Sequence, residues 1–422
     1  MTATTDPALG PTAPRRPATA TRADADTPAG ARVRDPRLDF FRGLAMFIIL
    51  IAHVPGNAWT KWIPARFGYS DATEIFVFCS GMASAIAFGG TFARRGAFLG
   101  TARTLFRIWQ VYWAHVGLFL VIAGTMAALD ATGAFERCYV CRLNLTFFFE
   151  DTASQLVGLM TLTYVPNYFD ILPMYLVILA MMPAMVLLAR VHVALAVALS
   201  VTLWLVAQFD YLSLPAEPWS DREWFFNPFG WQLIFFTGFA LMAGWLPKPP
   251  VDRRLIWAAA AFLVLTMPLS SPRAVGFLEV TWPAAAQWSM STFDAMNAHP
   301  VLGTLRAKTD FGLFRYLHFL SLAYIAWILV GAHGRRLVAA GGGIGAQAWN
   351  GVVTFVTKVG QQSLAIFVFS MFFSQMLGVL LDQTARGAGV VALVNLAGLA
   401  TLVAVAYFVA WVKAHPWRGA KA

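Results

Sequence analysis

Charge is scarce in this chain. Asp, Glu, Lys and Arg together make up 12% of its 422 residues, about half of the roughly 25% usual for soluble domains. That shortage excludes an ordinary soluble protein, and the 59% of hydrophobic residues and mean hydropathy of +0.63 point to an integral membrane protein. Cysteine is scarcer still, at three residues. Cys79 lies in an apolar run and reads as packing, while Cys138 and Cys141 form a CxxC where a periplasmic setting allows a disulfide. A zinc site would need two more ligands beside that pair, and a redox role would need a thioredoxin-like context; the sequence has neither. Also missing are a soluble domain, an internal repeat, a Walker-type loop and the G-x-S-x-G elbow of acyl-serine hydrolases. Gly341-Gly342-Gly343 stands between no strand and helix and reads as a hinge. The net charge of +10 comes without the interleaved basic and aromatic residues that nucleic acid requires, so no nucleic-acid partner is expected.

What the chain does have is a membrane helix that carries ionisable groups. In DPRLDFFRGLAMFIILIAHVP, residues 35–55, Asp35 can cap a helix, Pro36 suits its first position and Pro55 stops it. About 19 residues at the helical rise span about 28 Å, enough to cross a hydrocarbon core. A charged side chain at the centre of such a helix costs about 2.5–3.5 kcal/mol, so Asp39, Arg42 and His53 each need an explanation. Arg42 and His53 are 11 residues apart, which puts them within about 20° of one helix face and about 16 Å apart along the axis. Asp39 lies one turn before Arg42, at i,i+3 pairing distance. All three also have a plain use, as interfacial anchors and a helix-end histidine.

Ten apolar spans follow from the hydropathy pattern, at about 37–54, 71–90, 107–129, 171–189, 191–208, 229–246, 255–271, 313–333, 360–381 and 389–412. The fold class expected is therefore all-α, a bundle of about ten transmembrane helices. An even number puts both termini on one side. With the N-terminus inside, 21 of the 31 Lys and Arg residues fall on cytoplasmic segments, and 15 of the 21 acids on outward ones. The positive-inside rule thus places both termini in the cytoplasm, with the lipid bilayer as a partner. Residues 1–34, poor in large apolar side chains, are expected to form a disordered cytoplasmic tail, 35–413 the membrane domain and 414–422 a short tail. No apolar stretch follows Arg15-Arg16, so no twin-arginine or cleavable signal is expected. The outward segments 130–170, 209–228 and 272–312 are long and rich in Trp and Pro. Their Trp219, Trp224, Trp231, Trp282 and Trp288 read as an interfacial belt, or as platforms for sugar rings.

Other polar residues could meet the first helix. Asp71 and Glu74 open the second span in SDATEIFVFCSG, at the same outer end as His53. Their spacing is that of a capping box, and Glu74 could also orient His53 and raise its basicity. Asp310 is a plausible cap for the span that carries His318, eight residues on and nearly on the same face. Asp170 in YFDILPMY, Asn227 and Gln232 in FNPFGWQLIFFTG, and Gln361, Gln362 and Ser363 at the cytoplasmic start of the ninth span are weaker candidates, each with an ordinary interfacial use. A histidine with a carboxylate at an outer opening can take a proton from a sugar hydroxyl, while a cation lower on the same face holds an anionic donor from inside. That is acyl transfer across a bilayer. Direct attack by the hydroxyl and a transient acyl carrier both remain open.

The blocks RDPRLDFFRGLAMFIILIAHVP, SDATEIFVFCSGMASA, KTDFGLFRYLHFLSLAY and GQQSLAIFVFS, in that order, resemble the OpgC-type membrane proteins, within the wider acyltransferase-3 group of O-acyltransferases. The resemblance covers roughly residues 35–412. The wider group carries an Arg and a His on its first membrane helix, which Arg42 and His53 match. The resemblance implies O-succinylation of osmoregulated periplasmic glucans, with succinyl-CoA as co-substrate and no tightly bound cofactor or metal. The expected roles are His53 as general base with Glu74, and secondarily Asp39, as supporting carboxylates. Arg42 is expected on the donor side, with Asp310 and His318 lining the acceptor side; Asp170, Asn227, Gln232, Gln361 and Ser363 are candidate binding residues. Two other readings stand beside this one: an O-acetyltransferase acting on another polysaccharide or a lipid-linked sugar, and a transporter of sugars or lipids with no chemistry.

Overall fold

The computed structural model describes residues 35–417, and the expectations for the tail 1–34 and for the residues after 417 lie outside them. Among the described residues, eleven helices form the bundle that positions the site. They are α1 (Pro36–His53), α2 (Ala72–Ser84), α3 (Gly90–Ala131), α4 (Ile171–Val191), α5 (Val193–Ala207), α6 (Pro228–Ala243), α7 (Arg253–Ser270), α8 (Leu313–Val330), α9 (Ile344–Gln361), α10 (Ser363–Asp382) and α11 (Ala388–Lys413). No strand occurs among the described residues; one isolated antiparallel bridge joins Pro215 and Glu223. Six helical stretches are long and apolar enough to cross a membrane: the run from Ala72 to Ala131, then α4, α7, α8, α10 and α11. Each of the ten expected spans falls on helix, but α1 is not among the six, α5 and α6 are shorter, and the second and third expected spans share the run from Ala72 to Ala131, so the count of ten is not established.

Two glycine crossings build the centre. A Cβ on Gly81 of α2 would sit 1.9 Å from the Phe235 carbonyl oxygen, and one on Gly238 of α6 would sit 2.3 Å from that of Phe78. The same reciprocal arrangement joins α1 to α9, with Gly43 against the Val356 carbonyl and Gly360 against that of Asp39. Backbones that approach this closely gain dispersion contacts where no hydrophobic driving force separates helix from lipid. A row α6–α2–α1–α9 results, with α10 packed on α1 and α4 on α3.

Several expectations are corrected here. Residues 344–361, which lie almost wholly between the eighth and ninth expected spans, form the helix α9, with Val353, Val356 and Val359 buried. The segment 272–312, expected as an outward loop, is mostly helical, with helices at Pro272–Thr281, Pro283–Ala298 and Pro300–Thr304, each opened by a proline at a first-turn position. Trp224 and Trp231 are not belt residues. Both are buried, and Trp231 donates from Nε1 to the Lys308 carbonyl at 3.0 Å. Trp282 and Trp288 are exposed as expected. Cys79 is free and buried, and Cys138 and Cys141 form a disulfide.

Candidate functional site

α1 ends at His53 because Pro55 follows, and its last turn aims the imidazole at the end of the bundle where α2 and α8 begin. His53 Nδ1 lies 2.8 Å from the Ile49 carbonyl oxygen. A carbonyl only accepts, so Nδ1 carries the proton and Nε2 is the basic nitrogen. The ring packs edge-on against Tyr168, with centroids 5.3 Å apart. The Tyr168 hydroxyl bonds Ser374 Oγ at 2.8 Å and donates to the Met371 carbonyl at 2.5 Å, which fixes the phenol to α10.

The carboxylates at this end are arranged differently from the expectation. Asp71 and Glu74 do form the capping box of α2. Glu74 then uses Oε2 on the Asp71 backbone N–H (2.8 Å) and Oε1 on the Arg315 guanidinium (Nε at 2.9 Å), so both oxygens are engaged and neither holds His53. Asp71 pairs with Lys308 Nζ at 2.6 Å. Burial alone would raise the Asp71 carboxyl, but Lys308 and Arg315 outweigh it and hold it well below the usual carboxylate range. The Asp71–Lys308 pair stands at the start of α2, at the same end of the bundle as His53.

His318 is brought to the same end but is not open. Its Nδ1 is 2.8 Å from Ser70 Oγ, its ring meets Tyr69 edge-on, and a Cβ on Gly68 would fall 2.2 Å from Nε2. Both ring nitrogens therefore face residues 68–70, and the imidazole clamps that loop. Asp310 does not cap α8, whose N-cap is Gly312 with no side-chain bond. Its carboxylate accepts from Asn227 Nδ2 at 2.9 Å, and burial pushes its pKa up to about 6. Asn227 caps α6 by accepting from the Phe229 N–H. Gln232 is fully buried and staples α6 to α5: it accepts from Ser200 Oγ and donates to the Ser200 carbonyl, each at 2.7 Å. The Asp170 side chain does not cap α4; it accepts from the Phe225 N–H at 3.2 Å. Asp310, Asn227 and Asp170 thus tie loop segments to the helix ends, while Gln232 joins two helices.

At the other end of α1, Arg42 donates to Ser363 Oγ at the start of α10. Gln361 closes α9 half-buried, and its neighbour Gln362 accepts from Lys413 Nζ at 2.7 Å. Asp39 is buried here. It lies fourteen residues, about 21 Å, from His53 along the helix, so it is no supporting carboxylate for that histidine.

Residues 34–414 match the family model described as OpgC protein. The chain belongs to the OpgC family. No curated protein and no solved structure matches it.

In this OpgC family member, sequence reasoning missed three residues at the His53 end of the bundle: Lys308, Arg315 and Tyr168. Arg315 sits one turn before His318 on α8, in an otherwise apolar run, which is the signal that could have found it. Lys308 had a weaker signal, as a cation two residues before Asp310. Tyr168 lies in ordinary loop composition and offered none.

Proposed function

We propose that this protein is a membrane O-acyltransferase of the bacterial inner membrane that moves a succinyl group from cytoplasmic succinyl-CoA to hydroxyls of a periplasmic glucan. Ten spans with both termini in the cytoplasm are the topology that goes with this reading. The observation that carries it is the His53 tautomer: with the proton held on Nδ1 by the Ile49 carbonyl, Nε2 is the base, at the end of the helix opposite Arg42.

Nε2 removes the proton from an acceptor hydroxyl as its oxygen attacks the thioester carbonyl. The new C–O bond replaces the C–S bond, and the CoA thiolate leaves with a proton returned through the imidazolium or solvent. The imidazolium forms at a helix C-terminus, where the carbonyl dipoles favour a cation. The Asp71–Lys308 pair sets the field around it, and Arg42, ordered by Ser363, holds the anionic donor on the inner side.

The deciding experiment measures the charge and mass of periplasmic glucans from cells with the wild-type gene, with a deletion and with His53→Ala. Loss of the succinyl mass and its negative charge in both mutants, at equal protein levels, supports the assignment. Unchanged glucans in the deletion strain would sink it. Consumption of acyl-CoA by purified protein separately rules out a carrier without chemistry.

A further inference from the structure

Beside Tyr168 is a cationic cluster that the steps above do not use. Asp382, the last residue of α10, has a side chain only 1% exposed and receives three arginines. Arg137 lies at 3.3 Å, Arg142 at 3.2 Å, and Arg386 pairs with the same carboxylate. Asp130, the nearby acid on α3, is committed to the backbone N–H groups of Tyr139 and Val140 at 2.8 and 2.9 Å. One carboxylate against three guanidiniums leaves a cationic excess. Arg142 is the most enclosed of the three, at 24% exposure against 31% and 61%. Its Nη2 lies 3.4 Å from Gln375 Oε1, and its Nε is buried with no hydrogen-bond partner among the described residues. The guanidinium therefore keeps donor capacity that the protein does not fill, on a side chain that is still partly exposed, and a carboxylate is the acceptor that matches it.

The cluster also lies close to the reacting end. Gln375 neighbours Ser374, which bonds the Tyr168 hydroxyl, and the Tyr168 ring packs on His53. One phenol and one amide thus bridge the base and Arg142. A succinyl group differs from a butyryl group of equal length only in its terminal carboxylate, and a carboxylate brought out of water needs a charged hydrogen-bonding partner. The planar fork of arginine matches carboxylate geometry.

We propose that Arg142, held by Asp382 and Gln375 with Arg137 and Arg386 beside it, is a carboxylate subsite that receives the free end of a dicarboxylic acyl group and selects it over neutral ones. This rests on the acyl-transfer reading above and adds the residue that sets acyl specificity.

The test uses the full-length protein in detergent with glucan as acceptor, comparing succinyl-CoA with butyryl-CoA. Arg142→Gln is expected to lower kcat/KM for succinyl-CoA about 10–100-fold and to leave that for butyryl-CoA within about threefold, with Arg142→Lys between the two. Equal losses with both donors would place Arg142 on the acceptor or in the fold, and overturn the subsite. So would an unchanged succinyl-to-butyryl ratio, or a wild type that prefers butyryl. Gln375→Leu leaves the Asp382 pairs in place, and its ratio must fall in the same direction, which decides the matter if Arg142→Gln melts below the assay temperature. A wild type that consumes neither donor removes the acyl-transfer reading itself, a failure distinct from that of the subsite.

Discussion

Glu74 and Arg315 meet across α2 and α8, Oε1 to Nε at 2.9 Å, with Glu74 fully buried and Arg315 8% exposed. A buried pair of this kind contributes little against an apolar pair, yet removing one partner strands the other's charge. Arg315→Met is therefore expected to destabilise the protein by about 3–5 kcal/mol, and Glu74→Leu combined with Arg315→Met to recover most of that. Thermal melting in detergent checks it. Equal melting of the single and double variants would mean that the pair is not coupled.

Because Nδ1 of His53 is held by a backbone carbonyl, the general-base role depends on Nε2 alone. His53→Ala is expected to lower kcat about 10²–10⁴-fold with little change in melting. Glu74→Gln keeps one acceptor oxygen and turns a donating amide toward its other partner, but neither Glu74 oxygen touches His53, so kcat should fall far less. Single-turnover rates with succinyl-CoA distinguish these, and an activity of His53→Ala within a few-fold of wild type removes the role.

The parts of this site that the sequence disclosed are local ones. The α1 stripe followed from helical periodicity, and the Asp71–Glu74 capping box from a spacing of three. What was hidden depends on partners far along the chain. Glu74 and Arg315 are 241 residues apart, so the expected use of Glu74 on His53 rested on shared depth alone, and Arg315 took the carboxylate instead. Asp310 was expected to cap α8 because it stands just before an apolar run. The chain turns at Phe311 with φ of 56°, Gly312 becomes the cap, and the carboxylate reaches Asn227. Most of α9 lay outside the expected spans because Gln347, Asn350, Thr354, Thr357 and Lys358 are interleaved with its apolar residues, and hydropathy averages over faces.

Arg42 and Ser363 join α1 to α10 at the end away from His53. If they hold the donor, Arg42→Gln should raise KM for succinyl-CoA about 10-fold or more, in line with a lost hydrogen bond to a charged group, while kcat stays near wild type. Ser363→Ala should show a smaller shift of the same kind. Steady-state kinetics in detergent read both, and a fall in kcat at constant KM would assign Arg42 to the chemical step.

Asp170 supplies a pH dependence outside the helices that span. Burial raises its carboxyl to about 6 from 3.8, against the Phe225 N–H and Arg222, which lower it. Between about pH 4 and 6 the folded protein holds this proton and the unfolded chain does not, so stability falls as pH rises through that window and is flat above it. The size is about 2–3 kcal/mol for a shift of about two units. Asp170→Asn keeps an acceptor for Phe225 and should flatten that slope. Melting temperatures from pH 4 to 7.5 check the sign; a wild type that gains stability across the window contradicts it.

The Cys138–Cys141 disulfide closes the turn that carries Arg142, the next residue in the same short helix. Chain entropy gives a four-residue loop about 2 kcal/mol of stabilisation, too little to decide whether the bundle folds but enough to fix the direction of one side chain. Cys138→Ser combined with Cys141→Ser should therefore lower the melting temperature by a few degrees at most, while the Asp130 carboxylate still caps the turn. The succinyl-to-butyryl ratio should fall severalfold in the same protein, because Arg142 loses its fixed approach to Asp382 and Gln375. Reduction of the wild type with dithiothreitol should reproduce that fall and reoxidation should reverse it. A ratio that ignores the redox state would show that Asp382 alone orients Arg142.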